Sequence, residues 1–308
     1  MPRIISQEVL EILACPECDA NVTTSETTLS CSNKECNLRY HIVNGIPVMW
    51  PKSDSKQETL TQRWKEAQAA EKQGAIYFSD ENKRIGKIFN SKVTALFQSR
   101  VNPESYVLEV GCGAYGIISG LRYVRTKVGI DPLMLTYIDY FDVDDDCIYI
   151  SGVAEHIPVR DGSIDICFCN NVLDHCSKPS QVIDQLYGKL RSGGLLVIGV
   201  YCFNPIWAII YSLAAKLKIW SDVYHPHLYT QKSLDKLLRS AGFTIEAHHD
   251  LSKEGYVLTQ SVLQPAIGAV KKISPIYSFG QKLFAKFPWA RAIFLTHERY
   301  IIIECVKS

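Results

Sequence analysis

The sequence predicts an α/β protein with a four-cysteine knot at its front, and three observations carry that reading. An apolar run, Tyr106-Val107-Leu108, opens directly into Glu109-Val110-Gly111-Cys112-Gly113-Ala114-Tyr115-Gly116, the pattern of a strand turning tightly into a helix. A second apolar run, Thr126-Lys127-Val128-Gly129-Ile130, ends in a carboxylate, Asp131. Two cysteine pairs, Cys15/Cys18 and Cys31/Cys36, flank a polar stretch at a spacing that can set four thiolates around one zinc ion.

In chain order the knot comes first. Thr27-Thr28-Leu29-Ser30 reads as a strand leading into the second pair, and His41 is a spare ligand should Cys36 not reach. Four unrelated buried thiols is the plainer alternative. Residues 11–51 resemble the zinc-ribbon domain of the small activator subunit of tRNA methyltransferases and its bacterial relatives. The likeness lies in Ile12-Leu13-Ala14-Cys15-Pro16-Glu17-Cys18, Leu38-Arg39-Tyr40 and Asn44-Gly45-Ile46-Pro47-Val48-Met49. The four-residue gap between Cys31 and Cys36 departs from the two usual in that family. The resemblance implies a structural Zn2+ and an RNA context. Charge argues otherwise: residues 1–50 hold three basic and six acidic side chains, a balance of −3, so the ribbon is a poor phosphate clamp and a better scaffold or protein contact.

The polar stretch Pro51-Lys52-Ser53-Asp54-Ser55-Lys56 marks a boundary, giving a ribbon over 1–52 and a helical linker and cap over 53–100. Residues 57–74 read as an exposed helix ending at Gly74. Ile85, Ile88, Phe89, Val93, Leu96 and Phe97 recur at helical spacing and predict a second, amphipathic helix. Tyr77 and Phe78 between them are candidates for a site roof or for packing.

The catalytic part spans 101–308. Gly111, Gly113 and Gly116 alone also fit a dinucleotide fingerprint, but Glu109 at the strand tip suits a cationic amino-acid group and would repel a pyrophosphate. Glu-x-Gly-x-Gly resembles motif I of the class I S-adenosylmethionine (SAM) methyltransferases. The resemblance implies a Rossmann-like seven-stranded class I methyltransferase sheet, here with an N-terminal zinc ribbon and helical insertions, and SAM as cofactor. Asp131 then stands where the family accepts the two ribose hydroxyls; the same residue would suit a nicotinamide ribose, or could be a turn residue before Pro132. Ile148-Tyr149-Ile150 is a third strand. The following Ser151-Gly152-Val153-Ala154-Glu155-His156-Ile157-Pro158 resembles the family's adenine-binding turn, with Val153 where an Asp is common. This leaves backbone groups of Val153 and Ala154, or Glu155, to meet the ring.

Asp161 to Asn170 supplies the fourth strand, and the resemblance puts Asn170 beside the transferred methyl. A helix over 178–191, with Val182, Leu186 and Leu190 on one face, stops at Gly193-Gly194; Leu195–Val200 is a buried fifth strand. Thr230 caps a helix carrying Leu234, Leu237 and Leu238. Thr244–His249 and Arg299–Val306 are two late strands, expected as the antiparallel edge of a methyltransferase sheet.

Chemistry must come from the C-terminal strand ends. Asn171-Val172-Leu173-Asp174-His175 lies just past the fourth strand and resembles a Glu-Val-x-Glu-His pattern of quinone-precursor O-methyltransferases, so Asp174 and His175 face the pocket mouth. Asn171 in place of the first Glu speaks against a metal there. His175 reads equally as base or scaffold, and His225 and His227 in Tyr224-His225-Pro226-His227 are further candidates or surface residues orienting a turn. Cys169 and Cys176 read as packing thiols.

Two insertions, about 201–224 and 252–298, are rich in aromatic residues, and the second interleaves them with Lys253, Lys271, Lys272, Lys282, Lys286 and Arg291. That pattern suits a lid over a greasy acceptor, a membrane-surface helix, or a helical cap with solvated lysines. A net charge of +1 gives no global pull toward nucleic acid, and eleven cysteines without an export signal point to a reducing compartment, the cytoplasm. The expected activity is methyl transfer to a small-molecule or lipid-like acceptor, through a hydroxyl. An rRNA or tRNA methyltransferase, a nicotinamide oxidoreductase and a non-catalytic zinc-ribbon interaction protein are the alternatives.

Overall fold

A computed structural model describes residues 5–52, 62–76, 80–216, 227–251 and 298–308. At the front, Ser6 caps a six-residue helix, α1 (Gln7–Ile12), by accepting from the Val9 amide at 3.3 Å. Four short strands follow: β1 (Val22–Thr24), β2 (Thr28–Cys31), β3 (Arg39–Val43) and β4 (Ile46–Pro47), paired antiparallel in that order. Asn44 and Gly45 both take positive φ, which is what a two-residue turn between β3 and β4 requires.

Two helices precede the main sheet. α2 (Gln62–Ile76) runs through Gly74 rather than stopping there, since one glycine inside a helix costs only about 1 kcal/mol. α3 (Asp80–Phe97) buries Phe89, Val93 and Phe97, an i, i+4, i+8 stripe. Ile88 and Leu96 are exposed, so the buried face is narrower than the apolar periodicity suggests. Tyr77 and Phe78 lie outside the described residues.

The central sheet has seven strands: β5 (Tyr106–Val110), β6 (Thr126–Ile130), β7 (Ile148–Ile150), β8 (Ile164–Asn170), β9 (Leu190–Phe203), β10 (Phe243–Asp250) and β11 (Glu298–Lys307). Their order is β10-β11-β9-β8-β5-β6-β7, parallel from β7 to β9 and antiparallel at β11 and β10. This is the expected class I methyltransferase sheet, with the last strand inserted backwards beside the fifth parallel one. Alternation along the strands feeds two cores. Leu108, Val110, Cys167 and Cys169 face one side, with Val182 and Leu186 of α6 (Pro179–Lys189) and Leu234 and Leu238 of α8 (Gln231–Ser240). Val107, Ile166 and Phe168 face the other, against α3, the four-residue helix α4 (Ile117–Gly120) and Met134 of α5 (Met134–Tyr140). Thr230 and Ser233 cap α8 reciprocally.

One expectation needs correcting. Gly193-Gly194 does not stop the helix. α6 ends at Lys189 and β9 begins at once, Gly193 taking φ +72 where the register of β8 against β9 shifts. Packing runs across the boundary near Pro51: Val9, Leu13, Leu29, Tyr40 and Met49 belong to the same buried cluster as Leu108, Ile130 and Ile150. Residues 201–203 of the first insertion finish β9, and α7 (Pro205–Lys216) follows; the second insertion lies outside the described residues except for Glu298 in β11. No helix among the described residues is long and apolar enough to cross a membrane.

Candidate active site

The strand order reverses between β5 and β8, which opens a crevice at their C-terminal ends. Into that rim the chain delivers the glycine loop 111–116, Asp131, the turn 151–155, Asn170 and Asp174-His175.

The three glycines serve three purposes. At Gly111, with φ +70, a Cβ would fall inside the Val172 side chain, so this glycine lets the loop pack on the segment after β8. At Gly116 a Cβ would collide with the Glu109 carboxylate. Gly113, with φ +54, has nothing within 4 Å of its absent Cβ and faces open space, which makes it the glycine a ligand can approach. A test separates these roles. Gly111→Ala is expected to lower the melting temperature strongly, and adding Val172→Ala should recover part of that loss. Equal melting of the single and double variants would rule the contact out.

Glu109 does not present its carboxylate to the crevice as a counter-charge. It is 2 % exposed, and its two oxygens accept from the Ile117 and Ile118 amides, both at 3.0 Å. The helix starts one residue after the glycines, so its orphan N–H groups reach Glu109 first. Burial pushes this carboxyl up to about 8, against the pull of those two amides. The side chain holds the loop from beneath.

Asp131 stands at the tip of β6. Its carboxylate accepts from Gly113 N at 3.0 Å and Leu133 N at 2.8 Å, which fixes the loop and the strand tip to one another. Burial raises it to about 6; the two amides lower it, Glu71 raises it and His175 lowers it. The turn after β7 is buried at Ser151, Val153, Ala154 and Glu155. Val153 O accepts from His156 N. Glu155 Oε1 accepts from Ser177 N at 2.7 Å and Lys178 N at 3.2 Å, just ahead of α6. That oxygen is committed to a helix start, the place where a carboxylate is most stabilised.

On the far side, Asn170 Oδ1 accepts from the Tyr300 hydroxyl, and Gly199 leaves room for the pair. Asp174 is 3 % exposed, and its Oδ1 is buried with no hydrogen-bond partner among the described residues. His175 lies between two carboxylates: Nε2 is 4.0 Å from Asp174 Oδ1 and Nδ1 is 3.7 Å from Glu71 Oε1 of α2. His227 is tied back to the segment after β8, its Nε2 to Cys176 O at 2.9 Å and its amide to Asp174 O at 3.4 Å. His225 lies outside the described residues. Burial pushes the Cys169 and Cys176 thiols upward, as packing thiols require. Sequence reasoning missed Glu71, Tyr300 and Gly199. The long-range contacts that matter here leave no local pattern; a lone Glu in a polar helix carries no signal.

In the ribbon, the four sulfur atoms of Cys15, Cys18, Cys31 and Cys36 lie within 4.8 Å of one another. Cys15–Cys36 is 3.7 Å and Cys18–Cys31 is 3.5 Å, close to the ~3.8 Å edge of a tetrahedron with Zn–S bonds of about 2.3 Å. Cys36 reaches the cluster, so His41 is not needed as a ligand. The donor set fits zinc.

Comparison with known proteins bears on the crevice. Residues 108–198 match the family model Methyltransf_11, described as a methyltransferase domain. Malonyl-[acyl-carrier protein] O-methyltransferase of Yersinia pestis is 34% identical over 94 residues, 30% of this chain. The chain spans only 34% of that relative's length. Ubiquinone biosynthesis O-methyltransferase of Psychrobacter arcticus is 27% identical over 188 residues, 54% of this chain and 71% of that protein. A solved SAM-dependent methyltransferase of Thermotoga maritima matches 80% of this chain and 100% of its own length, at 16% identity and a TM-score of 0.47. The family match identifies residues 108–198 as a methyltransferase domain, and the strand order is that of the class I methyltransferase sheet.

Proposed function

We propose that the protein transfers a methyl group from SAM to a hydroxyl of a small or lipid-like acceptor. One observation carries most weight: Asp131, a buried carboxylate at the tip of the second parallel strand, sits beside the one glycine of the loop that faces open space. That is the geometry a ribose and an extended amino-acid tail would use. SAM, when bound, supplies a methyl on a cationic sulfonium, which the carboxylates of Asp131, Glu71 and Asp174 favour.

In this reading Asp131 accepts from the ribose hydroxyls, Gly111–Gly113 bring backbone close to the tail, and Val153 and Ala154 border the adenine. Glu109, Gly116 and Glu155 shape the loops without touching the ligand. Asn170, held by Tyr300, flanks the methyl-transfer position. His175 takes the proton from the acceptor hydroxyl, and Asp174 and Glu71 stabilise the imidazolium that forms. His227 orients the Asp174 segment rather than acting on the acceptor. Zinc in the four-cysteine cluster is structural.

The acceptor class is supported by three features. α7 carries Ile206, Ile209 and Leu213 at half or more exposure, and an open groove of ≈ 460 Å³ lies between it and Thr230. The ribbon is acidic by three charges. Both named relatives are O-methyltransferases. Incubating the protein with labelled SAM, total RNA and, separately, a lipid and metabolite extract tests the assignment. Label is expected in the organic extract; label confined to RNA and suppressed by salt would overturn it.

A further inference from the structure

Among the described residues, the ribbon's backbone is bonded to one segment of the large domain more than to any other, and that segment is the turn after β7. On the entry side, Ser151 N donates to Pro47 O at 2.9 Å, Met49 N donates to Ser151 O at 2.8 Å, and Trp50 Nε1 reaches Ser151 Oγ at 3.2 Å. Val48 thereby pairs in parallel with Ser151, as a short extension of the sheet beyond its edge strand. On the exit side, Ala14 N donates to Pro158 O at 3.1 Å and Arg160 N to Ile12 O at 2.8 Å, with Leu13 antiparallel to Val159. Between them His156 Nδ1 lies 3.2 Å from Pro16 O, inside the first cysteine knuckle. Gly152 approaches Met49 O so closely that a Cβ there would stand 3.3 Å from it.

The seam is closed by one buried cation. Lys189 at the end of α6 is 1 % exposed and holds Asp19, the residue after the knuckle, at 3.2 Å and Asp161 at 2.8 Å. The ribbon itself has little to hold it together: its strands are two to five residues long, and β1 and β3 each bury one residue. A module this small holds its shape through a crosslink, and the four cysteines are the only cluster of three or more metal-ligating side chains among the described residues.

We propose that the four-cysteine module is a metal-locked clamp that positions residues 151–159, the adenine side of the cofactor crevice. Metal holds the knuckles, the knuckles hold segments 12–16 and 47–50, and these grip both ends of the turn. Cofactor affinity therefore depends on a metal site that contributes no atom to the crevice. The proposal rests on the reading of that turn as the adenine border.

The test uses the full chain and S-adenosylhomocysteine as probe. Cys18→Ser, at a partly exposed ligand, and the chelator-treated wild type are expected to bind it at least ten-fold more weakly, within the usual range of site–site coupling. Hydrogen exchange should rise at the amides of Ala14, Met49, Ser151 and Arg160 while Val128 in the sheet stays protected. Lys189→Met leaves all four thiols and the crevice in place and should weaken binding about three-fold, a smaller step on the same scale. Metal-free protein with a protected Val128 and undiminished affinity would overturn the clamp. So would unchanged exchange at Ser151 and Arg160. Failure of the wild type itself to bind the probe would instead count against the cofactor reading, since the exchange data test the grip on the turn independently.

Discussion

Asp131→Ala is expected to weaken S-adenosylhomocysteine binding at least about 100-fold, since two charge-assisted hydrogen bonds at about 1.5–3 kcal/mol each are lost. The side chain is buried, with no bulk water to replace it as an acceptor. Its pKa of about 6, raised by burial, gives a second signature. Ribose hydroxyls donate to the ionised form, so binding releases a proton wherever the free protein holds one. Affinity should fall by about ten-fold per pH unit below that value and stay level above it.

The sign for folding is the opposite. An acid whose pKa rises from 3.8 to about 6 on folding binds more protons when folded, so its ionised form above pH 6 costs the free protein stability. Asp131→Asn removes that cost but leaves one of the Gly113 and Leu133 amides facing an NH2 donor. The two effects oppose, so the variant should melt within about 3 °C of the wild type near neutral pH while losing affinity. Calorimetry across pH 5–8 checks both. Wild-type affinity in Asp131→Ala would remove the ribose assignment.

Cys15→Ser is expected to release the zinc and lower stability on the order of 4 kcal/mol, roughly 10 °C for a chain of this size. Cys15 is fully buried, and its sulfur lies 2.9 Å from the Tyr40 hydroxyl and 3.7 Å from Cys36. Losing the metal leaves three crowded thiols beside a core shared with the large sheet, so the damage is not confined to the ribbon. Elemental analysis should find about one zinc per chain in the wild type and none in the variant. Zinc-free wild type with the same melting curve as the metal-loaded protein would refute a structural metal.

What was legible in the sequence is what local periodicity and spacing encode. The five parallel strands read as short apolar runs because both their faces are buried, and Gly111-x-Gly113 and Asp131 fell at strand tips where such runs end. The cysteine spacing determined the knot, since two pairs on two turns have few other ways to converge. Boundaries were less secure. Gly74 and Gly193 look like stops, but a glycine is only a weak breaker and the surrounding packing carried the helix and the strand through both.

Tertiary structure alone decided what each carboxylate does. Glu109, Asp131 and Glu155 are all acids at or near strand ends in the sequence, yet each is held by a different set of backbone amides. Glu109 accepts from the amides of α4, Asp131 from Gly113 of the glycine loop and from Leu133, and one Glu155 oxygen from the amides ahead of α6. It also decided that Glu71 of α2 meets His175, that Tyr300 of the last strand meets Asn170, and that the ribbon grips the turn after β7. Sequence by itself determined the sheet, the loop and the four-cysteine knot, because short-range patterning is set by which faces must be buried. The roles of individual polar groups depend on which distant amide or side chain arrives within about 3 Å of them, and no local pattern records that distance.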